Sequence, residues 1–281
     1  MSARFTQRNK MKKHKKREPV YTAATADKHV LYEMSVQNAE ADMEFIQKTF
    51  QSKRGRKPRS LREDFCGTAK LCATWAANSE EATAVGIDLD ESTLTWGRTH
   101  NLGTIGSAAS RVELLNKDVL DPIVQKSDVA VAFNFSYCIF KERETLLNYF
   151  KQVREGLSDD GAFLLDIHGG TECHESLEEV KDFEGYEYVW DQEPYDAIQG
   201  TAKRFIHFRF PDGTEMSRAF EYDWRLWSLP ELRDLMLEAG FTSAQCYWEG
   251  DDGDGEGTGI FTETHEAENE ISWIAYLVGW V

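Results

Sequence analysis

From Ser60 onward, short apolar runs alternate with segments whose apolar residues recur every three to four positions, the pattern of a parallel sheet covered by helices on both faces. The strand candidates are residues 60–65, Thr83–Asp88, Val112–Asn116, 129–135 and 162–167. Between them, residues 68–78 and 91–101 read as helices, and 144–157 places Leu146, Leu147, Phe150, Val153 and Leu157 at helical spacing before Gly161 restarts the chain as a strand. Ahead of this series, residues 27–50 carry Val30, Leu31, Met34, Met43, Phe45, Ile46 and Phe50, which predicts one or two helices with a break near 35–38. A basic run at 52–59 contains Gly55 and Pro58 and predicts a loop.

Past His168-Gly169-Gly170 the period falls to two. Residues 205–210 and 216–224 flank Pro211-Asp212-Gly213, an antiparallel hairpin whose turn residues suit it. The chain closes with a helix over 229–240 stopped by a glycine, a strand over 243–248, an acidic glycine-rich loop and a strand over 272–281. No internal repeat is evident.

With 281 residues, 41% of them hydrophobic and eight of them Trp, the chain is long enough for a substantial core, and disorder throughout is excluded. No apolar run approaches the roughly 20 residues of a membrane span. Five scattered cysteines with no C-x-x-C pair argue against disulfides and structural zinc. They predict a reducing compartment, the cytoplasm, with the basic start leaving nuclear or organellar import open. Residues before 20 carry a net +7 in a chain of net −17, which puts −24 on the remainder. A body this acidic repels a nucleic-acid backbone and tolerates a small or cationic substrate. The basic start reads as a solvated, disordered tail, with RNA, a membrane surface or an import receptor as alternatives.

The sharpest segment is Leu61-Arg62-Glu63-Asp64-Phe65-Cys66-Gly67-Thr68-Ala69, a strand ending in acid, a tight turn and a helix start. Small residues there let backbone N–H groups approach a ligand closely. Two further strands end in acid, at Gly86-Ile87-Asp88-Leu89 and at Asn116-Lys117-Asp118-Val119, so three carboxylates gather at one sheet edge. That edge is where doubly wound folds bind ligands, and Asp88 is the candidate acceptor for ribose hydroxyls.

In these segments the chain resembles the class I S-adenosylmethionine-dependent methyltransferases over about residues 27–281, and Ser228–Arg233 with Ala239-Gly240-Phe241 resembles the family's helix before its closing strands. It departs from the family's glycine-rich turn by keeping only Gly67, with Phe65 and Ala69 in the flanking glycine places. A dinucleotide-binding fold is the competing reading, but G-x-G-x-x-G is absent.

The resemblance implies a doubly wound α/β fold with a mostly parallel seven-stranded sheet and an antiparallel last strand. It further implies a tail over 1–20, a helical cap and linker over 21–58 and a catalytic domain over 59–281. A β-hairpin insertion after the fifth strand, at about 183–227, would roof the substrate. S-Adenosylmethionine is the implied cofactor, S-adenosylhomocysteine the product, with no metal. Arg62, Glu63, Phe65, Cys66, Gly67 and Thr68 would border its amino-acid part, Asp88 and Leu89 the ribose, and Asp118 with the Val119 backbone the adenine. Asn134 would face the transferred methyl group.

Methyl transfer needs positioning more than covalent help, and a base where the acceptor starts protonated. His168 is the candidate base, against the reading of a histidine that satisfies loop backbone. Asn134-Phe135-Ser136-Tyr137 stands where amine-directed nucleic-acid methyltransferases carry Asn-Pro-Pro-Tyr, which makes Asn134 and Tyr137 catalytic candidates although both prolines are missing. Rings crowd the insertion; Trp190 and Trp224, with Tyr32 of the cap, are the substrate candidates, and most of the others read as packing between hairpin and sheet. Residues 252–263 match the acid spacing of a calcium loop, but a strand-like segment precedes them and no helix pair brackets them, so a flexible loop is expected.

The partner expected is a small-molecule acceptor, with nucleic acid or protein less favoured and no membrane; the oligomeric state is not legible. The alternatives are a protein or RNA methyltransferase guided by the basic tail, or a catalytically silent scaffold of the same fold.

Overall fold

The N-terminal periodicity resolves into two helices in the computed structural model, which describes residues 21–122, 125–251 and 257–281. The basic tail over 1–20 and most of the acidic loop lie outside the described residues. The carboxylate of Asp27 caps α1 (Lys28–Val36) by accepting from the backbone of His29 and Val30. Asn38 caps α2 (Ala39–Arg54), which runs into the expected loop and stops at Gly55 in the left-handed region.

The main sheet is built from β1 (Ser60–Asp64), β2 (Thr83–Asp88), β3 (Val112–Asn116), β4 (Ser127–Ala132) and β5 (Leu157–Gly169), all parallel. Between them run α3 (Lys70–Asn78), α4 (Glu91–His100) and α5 (Arg143–Glu155). After β5 the chain forms β6 (Leu177–Phe183), β7 (Tyr186–Gln192), β8 (Thr201–Arg209) and β9 (Glu215–Arg225), a separate four-stranded antiparallel sheet. The insertion is therefore the expected hairpin, β8–β9, enlarged by two strands.

Next, α6 (Leu229–Glu238) is opened by a capping box between Ser228 and Glu231. β10 (Ser243–Asp251), β11 (Gly257–Thr264) and β12 (Trp273–Trp280) return to the main sheet. Its order is β11-β10-β12-β5-β4-β1-β2-β3, with β12 antiparallel to both β5 and β10. This is the expected mostly parallel sheet with one strand more, because the segment after the acidic loop pairs along β10.

Side chains alternate cleanly across the central strands. Val129, Val131 and Leu164 bury against α2 and α3, while Ala130, Ala132 and Leu165 bury against α5 and α6. Leu31 of α1 packs with Tyr186, Ile206 and Phe208 of the second sheet, so the cap and the roof share a small core. No helix among the described residues is long and apolar enough to cross a membrane.

Candidate cofactor turn and acceptor cavity

The alternation of β1 divides its four polar residues between two environments. Arg62 and Asp64 bury on the α5 side, where Arg62 Nε donates to Asp64 at 2.7 Å and the Tyr149 hydroxyl donates to the other oxygen at 2.8 Å. Arg62 is 1% exposed. This corrects the expectation that Arg62 borders the cofactor: it is a core cation that neutralises Asp64. Glu63 faces α3 instead and accepts from the backbone N–H of Cys72 at 3.0 Å; burial pushes its carboxyl up to about 8.

The turn that follows keeps a left-handed path without the expected glycines. Phe65, Gly67 and Ala69 have φ of 57°, 51° and 56°. The Phe65 ring packs against Phe140 and Tyr149, away from the edge. Cys66 is buried against Gly86, where a Cβ would lie 2.8 Å from its Sγ. A Cβ on Gly97 of α4 would lie 2.3 Å from the Thr68 carbonyl oxygen, so a glycine there lets α4 press on the turn.

Asp88, at the end of β2, accepts from Gly67 N–H at 2.8 Å through one oxygen and from Asp90 N–H at 2.9 Å through the other. Each oxygen keeps a lone pair for a further donor. Asp90 caps α4 and is held down at about 2, chiefly by the Ser92 and Thr93 hydroxyls. Leu89 is 66% exposed beside them. Asp118 turns one oxygen onto the N–H of Leu120 at 2.9 Å, and Val119 is buried. Glu33 of α1 ties the cap to this turn: one oxygen accepts from the Thr68 hydroxyl at 2.6 Å and from Asn101 at 2.7 Å, and the other lies 3.5 Å from Lys70.

Beyond the end of β4, Asn134 and Phe135 also adopt positive φ, and their N–H groups donate to the two oxygens of Asp166 at 2.8 and 3.0 Å. Both residues line a cavity of about 580 Å³ that runs under the second sheet. The candidates Tyr32, Asn134, His168, Trp190 and Trp224 meet in its wall. Tyr137 does not: it is fully buried, with its hydroxyl donating to the Asp166 carbonyl at 2.9 Å, so the catalytic candidate Tyr137 sits in the core and not in the cavity wall.

Asp166 and Asp42 belong to the same wall and escaped the sequence reading. Burial pushes them up to about 7 and about 6, and the Tyr276 hydroxyl donates to Asp42 at 3.1 Å. Burial drives His168 down to about 4, with the charge of Arg204 adding to the effect, and leaves its Nε2 without a hydrogen-bond partner among the described residues. The signal for Asp166 was an acid inside the otherwise apolar run 162–167. The described residues hold no cluster of His, Cys, Asp or Glu suited to a metal ion.

No protein-family model and no curated protein matches the chain. Solved structures do. An S-adenosylmethionine-dependent methyltransferase from Clostridium acetobutylicum is 16% identical, with TM-score 0.67 over 89% of this chain and 96% of its own. An amino pentose methyltransferase from Micromonospora echinaspora, solved with S-adenosylmethionine bound, is 14% identical with TM-score 0.62 over 88% and 95%. A sugar N-methyltransferase from Streptoalloteichus is 13% identical with TM-score 0.61 over 100% and 98%. The chain has the class I S-adenosylmethionine-dependent methyltransferase fold.

Proposed function

We propose that the chain is an S-adenosylmethionine-dependent methyltransferase with a small-molecule acceptor. The observation that carries this reading is adjacency: the acidic turn of β1 and β2 and a roofed cavity of about 580 Å³ lie at one sheet edge, with Asn134 and Phe135 beside both. Such a volume suits a small molecule. The amino pentose and sugar N-methyltransferases among the similar structures agree with a small acceptor.

The residues present fit a nucleoside. Asp88 has acceptor capacity left on both oxygens, and Cys66, Gly67 and Thr68 keep the turn small. Asp88 would take the ribose hydroxyls, Glu63 and Phe65 to Thr68 would border the amino-acid part without Arg62, and Asp118 with the Val119 backbone would border the adenine. S-Adenosylmethionine held there supplies a methyl group on a sulfonium, which is electrophilic without further activation. The chain's own work is to hold the acceptor in line and to keep water out. Helix α1 serves both ends, through Glu33 on the turn and Tyr32 and Ser35 on the cavity.

Calorimetric titration with S-adenosylmethionine and S-adenosylhomocysteine, with NAD as control, tests the reading. Micromolar binding of both sulfur nucleosides, lost in Asp88→Ala, is the expected result. A folded protein that binds neither would overturn it.

A further inference from the structure

The cavity beside Asn134 has one-sided chemistry. Asp166, Asp42, Glu172, Glu179 and Glu249 all line it. The one lysine among its described lining residues, Lys181, already lies 3.1 Å from Glu179. Rings close the other side: Tyr222 and Trp224 have centroids 4.7 Å apart, and Trp190 lies 6.0 Å from Trp224. The Trp224 indole is 2% exposed, and its Nε1 has no partner among the described residues. Carboxylates and aromatic faces around one space favour a cation. An anionic acceptor would meet repulsion there, and a neutral hydroxyl would leave the buried carboxylates uncompensated.

We propose that the cavity recognises its methyl acceptor as an amine, holding the ammonium form with Asp166, Asp42 and the Trp190–Trp224 ring cluster, and that the Asp166 carboxylate takes the amine proton. This rests on the methyltransferase reading above. In the reaction the ammonium gives a proton to Asp166, and the freed nitrogen lone pair forms the N–CH3 bond. The methyl–sulfur bond breaks with its electron pair left on sulfur, so the positive charge passes from sulfur to nitrogen.

Asp166 suits the proton better than His168. Burial pushes Asp166 up to about 7, near the pH where a base is most effective, whereas burial keeps His168 neutral. The titratable groups that face Asp166 are Asp42 from α2, Tyr32 from α1, Tyr276 from β12, and Tyr137 and Cys138 from the turn after β4, and Asp42 is the charged one.

The test uses the full chain saturated with S-adenosylhomocysteine, titrated with benzyltrimethylammonium and, separately, with benzyl alcohol, by calorimetry and tryptophan fluorescence. The quaternary cation carries the charge of a methylated product and no proton, so any pH dependence belongs to the protein. The cation is expected to bind at least tenfold tighter than the alcohol, and about tenfold tighter at pH 8 than at pH 5.5. Asp166→Asn should lose that preference and the pH dependence while binding S-adenosylhomocysteine like the wild type. Where that variant fails to fold, Asp42→Asn carries the test through the same loss of preference. Equal binding of the two probes, binding of neither, or an unchanged preference and pH dependence in the variant overturns the proposal. Failure of the wild type to bind S-adenosylhomocysteine is a separate result, which removes the methyltransferase reading itself.

Discussion

The two halves of the sheet edge are built on opposite plans. On the β1–β3 side, three short segments supply nearly everything, and the exposed-edge carboxylates are held by backbone N–H groups a few residues away or across one strand: Asp88 by Gly67 and Asp90, Asp118 by Leu120. On the β4–β5 side, the wall is assembled from α1, α2 and the strands β5 to β12, and it is rich in rings. The two buried aspartates make the contrast sharp. Asp64 has a guanidinium at 2.7 Å and a tyrosine hydroxyl at 2.8 Å, whereas Asp166 has two peptide N–H groups and the neighbouring charge of Asp42. A buried carboxylate with its own cation is structural; one without it keeps its capacity to bind charge.

The largest test of this contrast is Arg62→Met. It leaves the buried Asp64 carboxyl without its cation, at a cost of about 3–5 kcal/mol in denaturant unfolding. A variant as stable as the wild type would erase the distinction between the two aspartates.

Next is the pH dependence of Asp166. Its native pKa, about 7, lies above its unfolded value, so the folded state holds the extra proton between the two. The stability this group contributes is therefore complete below about pH 4 and is lost as pH rises to 7, by at most about 4 kcal/mol at 1.4 kcal/mol per unit. Asp42 and Glu63, also raised, push in the same direction. Unfolding at pH 4, 5.5 and 7 should show a decline that Asp166→Asn makes shallower, and an identical slope in the variant would contradict the assignment.

Asp88→Ala should cost S-adenosylhomocysteine about 3 kcal/mol, roughly a hundredfold in affinity, since two charged hydrogen bonds go with the carboxylate. The same substitution should leave the preference for a cation over an alcohol in place, because that preference belongs to the other half. Smallest is Glu33→Gln. Weakening the tie to Thr68, Asn101 and Lys70 should lower nucleoside affinity by about 1 kcal/mol and speed amide exchange in α1, and unchanged exchange would free the cap from any link with the turn.

The same division explains what could be read in the sequence. The bounds of β2 and β3 were legible, with Asp88 at the end of β2 and Asp118 just past β3, because each is a contiguous pattern. The helix after the turn starts at Lys70 and not at residue 68, since Thr68 and Ala69 still belong to the turn. Strand β11 was hidden because nearly every residue is exposed, and β6 because Leu177–Phe183 carries charges on both faces; neither leaves a period of two. Arg62 was misplaced because an arginine next to a motif acid looks like a ligand contact until the pleat sends it to the other face. Asp42 was illegible for a different reason: an acid in a helix's first turn is ordinary, and only the packing of α2 against β12 makes it part of the cavity.

The left-handed turn at Phe65 and Ala69 bears on the order in which the molecule assembles. A residue with a Cβ loses roughly 1–2 kcal/mol in that conformation, a cost a glycine would avoid. Local sequence therefore works against the turn, and its shape comes from Cys66 seated on Gly86, α4 pressed onto Thr68, and Phe65 inserted between Phe140 and Tyr149. An isolated peptide of this segment would not hold the bend. During folding, the turn takes its shape only once β2, α4 and α5 have docked, so its formation is a late event and reports on the integrity of the whole sheet.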